Sequence, residues 1–258
     1  SAHTLTWSLE PYNKTCPALT VARRLGLPLA SLLPAISCLA AITSKLKLAL
    51  NNRCPTLVLE RHGREVQEPT QDLSRTIGWF AREVYVTLNS DVLNTKSDEM
   101  SSQLIETVLR KWCGQIIQQD SPFVSSRGVA PAQQGVNGWL VGFNFLGELN
   151  LSSNSDLWSV TPLLEQLTEA CSDHWPLLNS LDLTAYYCQQ KGIKTLHFNA
   201  IASSSELHHS DLLRFKAELN KLFHQLHDCF IEEQQQLQAQ GLVDRNNLTI
   251  KPATPLQV

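Results

Sequence analysis

The sequence predicts an α/β fold in which one layer of helices packs on one layer of strands. Short alternating or wholly apolar stretches interleave with segments whose apolar residues recur every three or four positions, and these spacings are typical of strands and helices. The 258 residues are 43% hydrophobic and 17% charged, a composition that favours a sizeable core over disorder. We therefore expect a single lobe over residues 1–240 and a tail over 241–258.

The first 50 residues predict one strand and two helices. Residues 4–9 alternate polar and apolar side chains, as a half-buried strand does. One helix is expected over 15–25. A second is expected over 31–50, with Ser31 as its N-cap and Pro34 in its first turn, where a missing N–H costs little. Because the positions of this second helix are nearly all apolar, we expect it to be buried rather than to form an amphipathic surface.

Two strands and a helix are predicted next. Residues 56–60 form a short apolar run and residues 82–88 alternate, so both are predicted strands, separated by the polar, turn-rich residues 61–76. Asp98 is expected to cap a helix that runs to residue 119, because its carboxylate can accept from a free amide of the first turn.

The next region alternates between loops and ordered segments. A loop rich in Ser, Pro, Gln and Gly is expected over 120–138, and a strand over 139–146. A second loop is expected over 150–157 and a short helix over 160–171.

The last part of the predicted lobe has the sequence pattern of a hairpin followed by one long helix. Residues 181–187 and 194–202 are predicted to pair in antiparallel fashion around a turn at Lys191-Gly192. Residues 210–238 have the spacing of an amphipathic helix that must pack on another element. Its apolar positions are Leu212, Phe215, Leu219, Leu222, Phe223, Leu226 and Phe230.

Composition excludes several functional classes. The formal net charge is −3 and the 21 Lys and Arg residues form no basic block, which argues against a nucleic-acid surface. No apolar run approaches the roughly 20 residues of a membrane helix. The seven cysteines are widely spaced and never in C-x-x-C. We expect free thiols, no metal site and a cytoplasmic protein.

Residues 60–65 are the most informative candidate site. Glu60, His62, Arg64 and Glu65 follow a predicted strand and crowd one turn. Charged neighbours shift one another's pKa, so these groups could form an acid/base site. From spacing alone, a polar strand end with a salt-bridged turn is the favoured explanation, and the acid/base site stays open as the alternative.

Two further segments carry candidate binding residues. Ser74 lies in a polar turn that leads to Trp79, where the neighbouring glycine allows close approach of a ligand or of another segment. Asn144 closes the strand over 139–146 and could bind a ligand or satisfy a turn. From spacing alone, the structural role is favoured for both: a loop anchored by two buried rings, and a turn satisfied by the asparagine.

Taken together, three motifs resemble one family. LERHGRE, DLSRTIGWF and FNFLGE are similar, in order and approximate spacing, to the EGHGRE, DLSRTVGWF and NYLGQ motifs of nonribosomal peptide synthetase epimerization domains, a branch of the condensation superfamily. The resemblance covers roughly residues 3–230. It implies a chloramphenicol-acetyltransferase-like fold with a mixed sheet and flanking helices, in a single lobe that is half of the two-lobed condensation-domain fold.

The resemblance also implies roles for individual residues. Glu60 matches the family's second acid/base group, which faces a histidine of the N-terminal lobe across the reacting Cα. The family's HHxxxDG motif, which supplies that histidine, is absent from this sequence. The tunnel between the lobes is expected to be lined by residues of all three motifs, namely His62, Arg64, Ser74, Trp79, Asn144 and Phe145. Phe145 stands where the family has a tyrosine.

Three functions remain open at this stage. With a separate N-terminal lobe or a second copy, the chain would act on aminoacyl or peptidyl thioesters that a peptidyl carrier protein presents on its 4′-phosphopantetheine arm, with no cofactor of its own. Alternatively, it would be a non-catalytic docking or scaffolding module. A third interpretation is an acyltransferase that uses Glu60 and His62 within one lobe. The resemblance leaves enzymatic activity undecided because Arg61 and Phe145 depart from the motifs.

Overall fold

The computed structural model describes residues 2–9, 11, 15–46, 55–61, 77, 82–88, 100–119, 139–148, 177, 179–190 and 193–239. The predicted loops at 120–138 and 150–157, the predicted helix at 160–171 and the predicted tail at 241–258 lie outside these residues.

Six strands form one mixed sheet in the described part of the chain. They are β1 (Ala2–Leu9), β2 (Thr56–Arg61), β3 (Arg82–Thr87), β4 (Leu140–Glu148), β5 (Leu181–Gln190) and β6 (Ile193–Ser203). Their spatial order is β1-β6-β5-β4-β2-β3. The pairs β2–β4 and β4–β5 are parallel and the other neighbours are antiparallel. The predicted strands are therefore confirmed, including the hairpin of β5 and β6.

The described helices are α1 (Pro17–Leu25), α2 (Leu29–Thr43), α3 (Ser102–Gln119) and α4 (His209–Ala239). The apolar positions predicted for the last helix are all buried in α4. At the start of α4, the Asp211 carboxylate accepts a hydrogen bond of 2.8 Å from the His208 amide, which satisfies a backbone donor at the helix N-terminus.

The ends of two helices differ from the prediction. Ser31 is not an N-cap, because α2 begins at Leu29, directly after Pro28. The same helix ends at Thr43 rather than at residue 50, because Lys45 adopts a left-handed backbone with φ 52°. Asp98 lies outside the described residues, and α3 begins only at Ser102. There Ser101 Oγ accepts a bond of 3.3 Å from the Leu104 amide and takes the capping role.

The core lies between the helices and one face of the sheet. Trp7 of β1 stacks on Phe198 of β6, with ring centroids 5.2 Å apart, and meets Phe215 of α4 edge-on at 6.0 Å. Alternate residues along each strand point away from this core. We call the opposite surface, turned away from the four described helices, the far face of the sheet.

Helix α1 ends in a left-handed glycine. Gly26 has φ 65°, and its amide donates to the carbonyls of Ala22 and Arg23. Arg110 of α3 adds a bond of 2.8 Å from Nη1 to the Leu25 carbonyl. These bonds satisfy carbonyl groups that the last turn of a helix leaves without an intrahelical partner.

No single described helix has both the length and the apolar composition to cross a membrane. Helices α1 and α2 meet that test only as a pair, and a bend of 108° separates them. Nearly all of α2 is buried in the core.

Candidate functional site

The Glu60 carboxylate is held by an amide from the neighbouring parallel strand. Val58 and Leu59 of β2 pair with Gly142 and Phe143 of β4, so the register brings Glu60 beside Asn144. Asn144 Nδ2 donates to Glu60 Oε2 at 2.7 Å. The bond fixes the carboxylate near the carboxyl end of β2, a usual position for ligand-binding groups in α/β sheets.

Glu60 belongs to a row of six polar residues, one from each strand, that crosses the far face. The row is Glu83, Glu60, Asn144, Thr184, Asn199 and Thr6, from β3 to β1. Thr6 Oγ1 also donates to Asn199 Oδ1 at 3.2 Å. Asn199 is buried and bonded to Thr6, whereas Glu60 and Glu83 are exposed, so the row can meet water or a polar ligand at its β2–β3 end.

A second carboxylate faces Glu60 across the outer pair of strands. Glu83 of β3 lies opposite Glu60 in the β2–β3 register, so two like charges are neighbours. The hydroxyl of Tyr85 donates to Glu83 Oε2. Burial, together with this hydrogen bond and the charge of Glu83, raises the pKa of Tyr85 to about 12. The acidic character of this edge therefore extends over β2 and β3.

A third carboxyl group lies over a glycine of β4. Asp182 Oδ1 accepts a bond of 2.6 Å from Asn179 Nδ2. A Cβ on Gly142 would come within 2.1 Å of that oxygen, so the absence of a side chain there is what admits the pair. Burial raises the pKa of Asp182; the Asn179 bond lowers it, and the charge of Glu83 raises it further.

A thiol and an imidazole meet farther along the hairpin of β5 and β6. Cys188 Sγ lies 3.1 Å from His197 Nε2. The ring of Tyr186 stacks on that of His197 with centroids 5.0 Å apart and an interplanar angle of 9°. The register places these side chains on the far face together with the polar row.

Of the predicted site residues, the structure brings Glu60 and Asn144 together. Phe145 lies on the opposite side of the sheet from Asn144, because neighbouring strand residues point to opposite faces. Its ring packs against the core and stacks on Tyr187, with centroids 6.2 Å apart. His62, Arg64, Ser74 and Trp79 lie outside the described residues.

The sequence analysis missed Tyr85, Asp182, Cys188 and His197. The turn predicted at Lys191-Gly192, which lies outside the described residues, carried a usable signal for two of them, because a two-residue turn fixes the register of a hairpin. In that register Cys188 and His197 are diagonal neighbours. Within the described ranges, no group of three or more His, Cys, Asp or Glu residues could hold a metal ion.

No family model matches this sequence, and no curated protein matches it. Solved structures do match the fold. The epimerization domain from the third module of tyrocidine synthetase B superposes with a TM-score of 0.58 at 18% identity, over 90% of this chain and 49% of that chain. The first condensation domain of the CDA synthetase gives 0.51 at 11% identity, over 88% and 46%.

A chloramphenicol acetyltransferase matches along most of its length. Its TM-score is 0.50 at 11% identity, and the match covers 86% of this chain and 88% of that chain. The chain thus spans about half the length of the two synthetase domains. It has the chloramphenicol-acetyltransferase-like α/β fold, as a single lobe of the kind found in epimerization and condensation domains.

Proposed function

We propose that this chain is the C-terminal lobe of an epimerization- or condensation-type domain in nonribosomal peptide biosynthesis. It handles aminoacyl or peptidyl thioesters bound to a carrier protein, together with a separate N-terminal lobe. The observation that carries the proposal is the Glu60 carboxylate, oriented by Asn144 within a polar row on the far face. The three matching motifs and the half-length structural likeness support it.

The proposed chemistry is proton transfer at the Cα of the thioester. Glu60 takes or returns that proton, and the Asn144 amide holds the carboxylate in place. Inversion at a planar carbon needs a second acid/base group on its other side, which the N-terminal lobe supplies in this proposal. The 4′-phosphopantetheine arm belongs to the peptidyl carrier protein, and the chain binds no cofactor of its own. The assembly works in the cytoplasm, where carrier thiols stay reduced.

The test measures solvent deuterium uptake at Cα. The chain, a candidate N-terminal lobe and an aminoacyl-loaded carrier protein are mixed in deuterated buffer, and the released amino acid is analysed by mass spectrometry. Glu60→Gln should lower the rate by about 10²–10⁴-fold, the usual contribution of a positioned acid/base group. Glu106→Gln is the matched control, because Glu106 lies on α3 and pairs with Arg110. Uptake no faster than with the N-terminal lobe alone would contradict the proposal.

The second candidate is a docking or scaffolding module without catalysis. The placement of Phe145 favours it, because the residue at this motif position offers no hydroxyl and packs on Tyr187 instead. In that case Glu60→Gln would leave peptide production by the intact synthetase unchanged. A collapse of product formation in the same variant would exclude the docking role.

A further inference from the structure

The Asp182 carboxylate lies over β4, beside the Glu60 site. A Cβ on Gly142 would come within 2.1 Å of Asp182 Oδ1, so this oxygen sits above the glycine and not only above its own strand. Asn144, which holds Glu60, follows Gly142 by two residues and points to the same face. Because two strand residues span about 7 Å, the distance between Asp182 and the Glu60–Asn144 pair is one that a single aminoacyl group can bridge.

Asn179 holds the Asp182 carboxylate in this position. Its Nδ2 donates to Oδ1 at 2.6 Å and would itself lie 2.5 Å from a Cβ on Gly142. The two side chains therefore share the space that the glycine leaves open. Asp182 is half-buried, and its second oxygen makes no hydrogen bond to any residue that the structure describes. This oxygen is the one available to a ligand.

The far face carries negative charge without a matching cation among the described side chains. Glu60, Glu83 and Asp182 point to this face, and no lysine or arginine side chain that the structure describes does so. Lys194 lies on the opposite face in the register of β6. His197 is on the far face, but burial lowers its pKa and so favours the neutral ring.

The surroundings of Asp182 oppose its charge. Burial raises the pKa of Asp182 and the charge of Glu83 raises it further, and together they outweigh the hydrogen bond from Asn179. A cation within a few ångströms would reverse this effect, because opposite charge stabilises an ionised carboxylate. Since Asp182 is half-buried, such a contact is screened less by water than one at the exposed Glu83.

We propose that Asp182 binds the α-ammonium group of a carrier-bound aminoacyl thioester whose Cα lies at Glu60. The site therefore prefers aminoacyl groups with a free amine to N-acylated or peptidyl groups, which carry no charge at this nitrogen. The bound ammonium also favours proton transfer, because its positive charge stabilises the negative charge that develops at Cα as Glu60 takes the proton. The inference rests on the proposed function and narrows its substrate class.

The test measures binding of unreactive analogues to the full chain by isothermal titration calorimetry. The probes are aminoacyl pantetheines in which an amide replaces the thioester, carrying an alanyl, an N-acetylalanyl or an Nα-acetyllysyl group. The alanyl analogue should bind about tenfold more tightly than the N-acetylalanyl one, as expected for a hydrogen bond between charged groups.

Two variants assign the preference to one carboxylate. Asp182→Asn should abolish the preference, because the new side chain keeps an oxygen for Asn179 but carries no charge. Asp228→Asn is the matched control and should keep the preference, because Asp228 lies on α4, where it contacts His227 at 3.2 Å. Thermal unfolding checks that each variant is folded. The comparison of analogues on the wild-type chain needs no variant and decides the matter if Asp182→Asn does not fold.

Four results would overturn the inference. They are equal affinity of the wild-type chain for the alanyl and N-acetylalanyl analogues, an unchanged preference in Asp182→Asn, no measurable binding of the alanyl analogue, and tighter binding of the Nα-acetyllysyl analogue than of the alanyl one. The last result would assign the ammonium to the substrate side chain instead of the α-position.

Glu60→Gln separates this inference from the proposed function. The preference for the alanyl analogue should persist in that variant, whereas deuterium uptake at Cα should be lost. Preference without uptake in the wild-type protein would contradict only the proposed proton transfer. Uptake without preference would contradict only the binding role of Asp182.

Discussion

At the scale of single residues, the surroundings of Glu60 are asymmetric. On the β4 side an amide donates to its carboxylate, and on the β3 side the Glu83 carboxylate lies opposite. The carboxylate is therefore oriented by a hydrogen-bond donor on one side and repelled by a like charge on the other. The tyrosine bound to Glu83 offers a spectroscopic probe of this edge of the sheet.

Tyr85 should ionise near pH 12 in the folded protein, against about 10 in an unfolded chain. Between these values the unfolded chain loses a proton that the folded chain keeps, so this group lowers stability as the pH rises from about 10 to about 12. Absorbance titration at alkaline pH measures tyrosine ionisation. Comparison with the Tyr85→Phe variant identifies the part of the absorbance change that comes from Tyr85. Glu83→Gln should move it toward pH 10, because it removes the carboxylate from beside the hydroxyl. A Tyr85 transition near pH 10 in the wild-type protein would contradict the assignment.

At the scale of elements, periodicity predicted the strands and the long helix, whose alternation and three-or-four spacing are local properties. Helix ends were less predictable. Helix α2 ends at Thr43 because Lys45 adopts a left-handed backbone. A glycine usually indicates such a position in a sequence, and here there is a lysine instead. The same limit applies to α2's start, where Pro28 precedes the helix and Ser31 only looks like a cap.

Two glycines, one directly after helix α1 and one inside helix α3, should respond oppositely to replacement by alanine. Gly26 has φ 65°, so Gly26→Ala should lower the free energy of unfolding by about 1 kcal/mol through backbone strain. Gly114 lies inside α3, and a Cβ there would meet nothing within 4 Å. Gly114→Ala should therefore raise the free energy of unfolding by about 0.5–1 kcal/mol. Urea unfolding measures both, and equal signs for the two variants would contradict the backbone argument.

At the scale of the whole molecule, the motif resemblance predicted that Glu60 and Asn144 belong to one site. The structure shows that their side chains are hydrogen-bonded. Periodicity could not show that β2 and β4 are parallel neighbours, because more than 70 residues separate them in the chain. The proximity of Asp182 to Gly142 depends on another such pairing, that of β4 with β5. Motif resemblance supplied the long-range information that local patterns lack.

Two features lead to a prediction about assembly. The chain matches about half the length of the two synthetase domains, and the far face of its sheet carries a polar row. We expect the chain to bind a separately produced N-terminal lobe, or a second copy of itself, through the far face. Light scattering over a range of concentrations should give a mass above that of one chain. Thr184→Trp, in the middle of the polar row, should weaken the complex, whereas Leu213→Ser on the exposed side of α4 should not. One-chain mass at high concentration, with no binding to the lobe, would contradict the prediction.

The pairing of β1 with β6 has a consequence for biosynthesis. Eight residue pairs join the strand at Ala2–Leu9 to the one that ends at Ser203. During translation, the first strand leaves the ribosome long before its neighbour is made. Its apolar side chains, including Trp7, cannot be buried against β6 until nearly two hundred further residues have been added. Such long-range closure slows folding, and the nascent chain needs protection from aggregation until the sheet is complete.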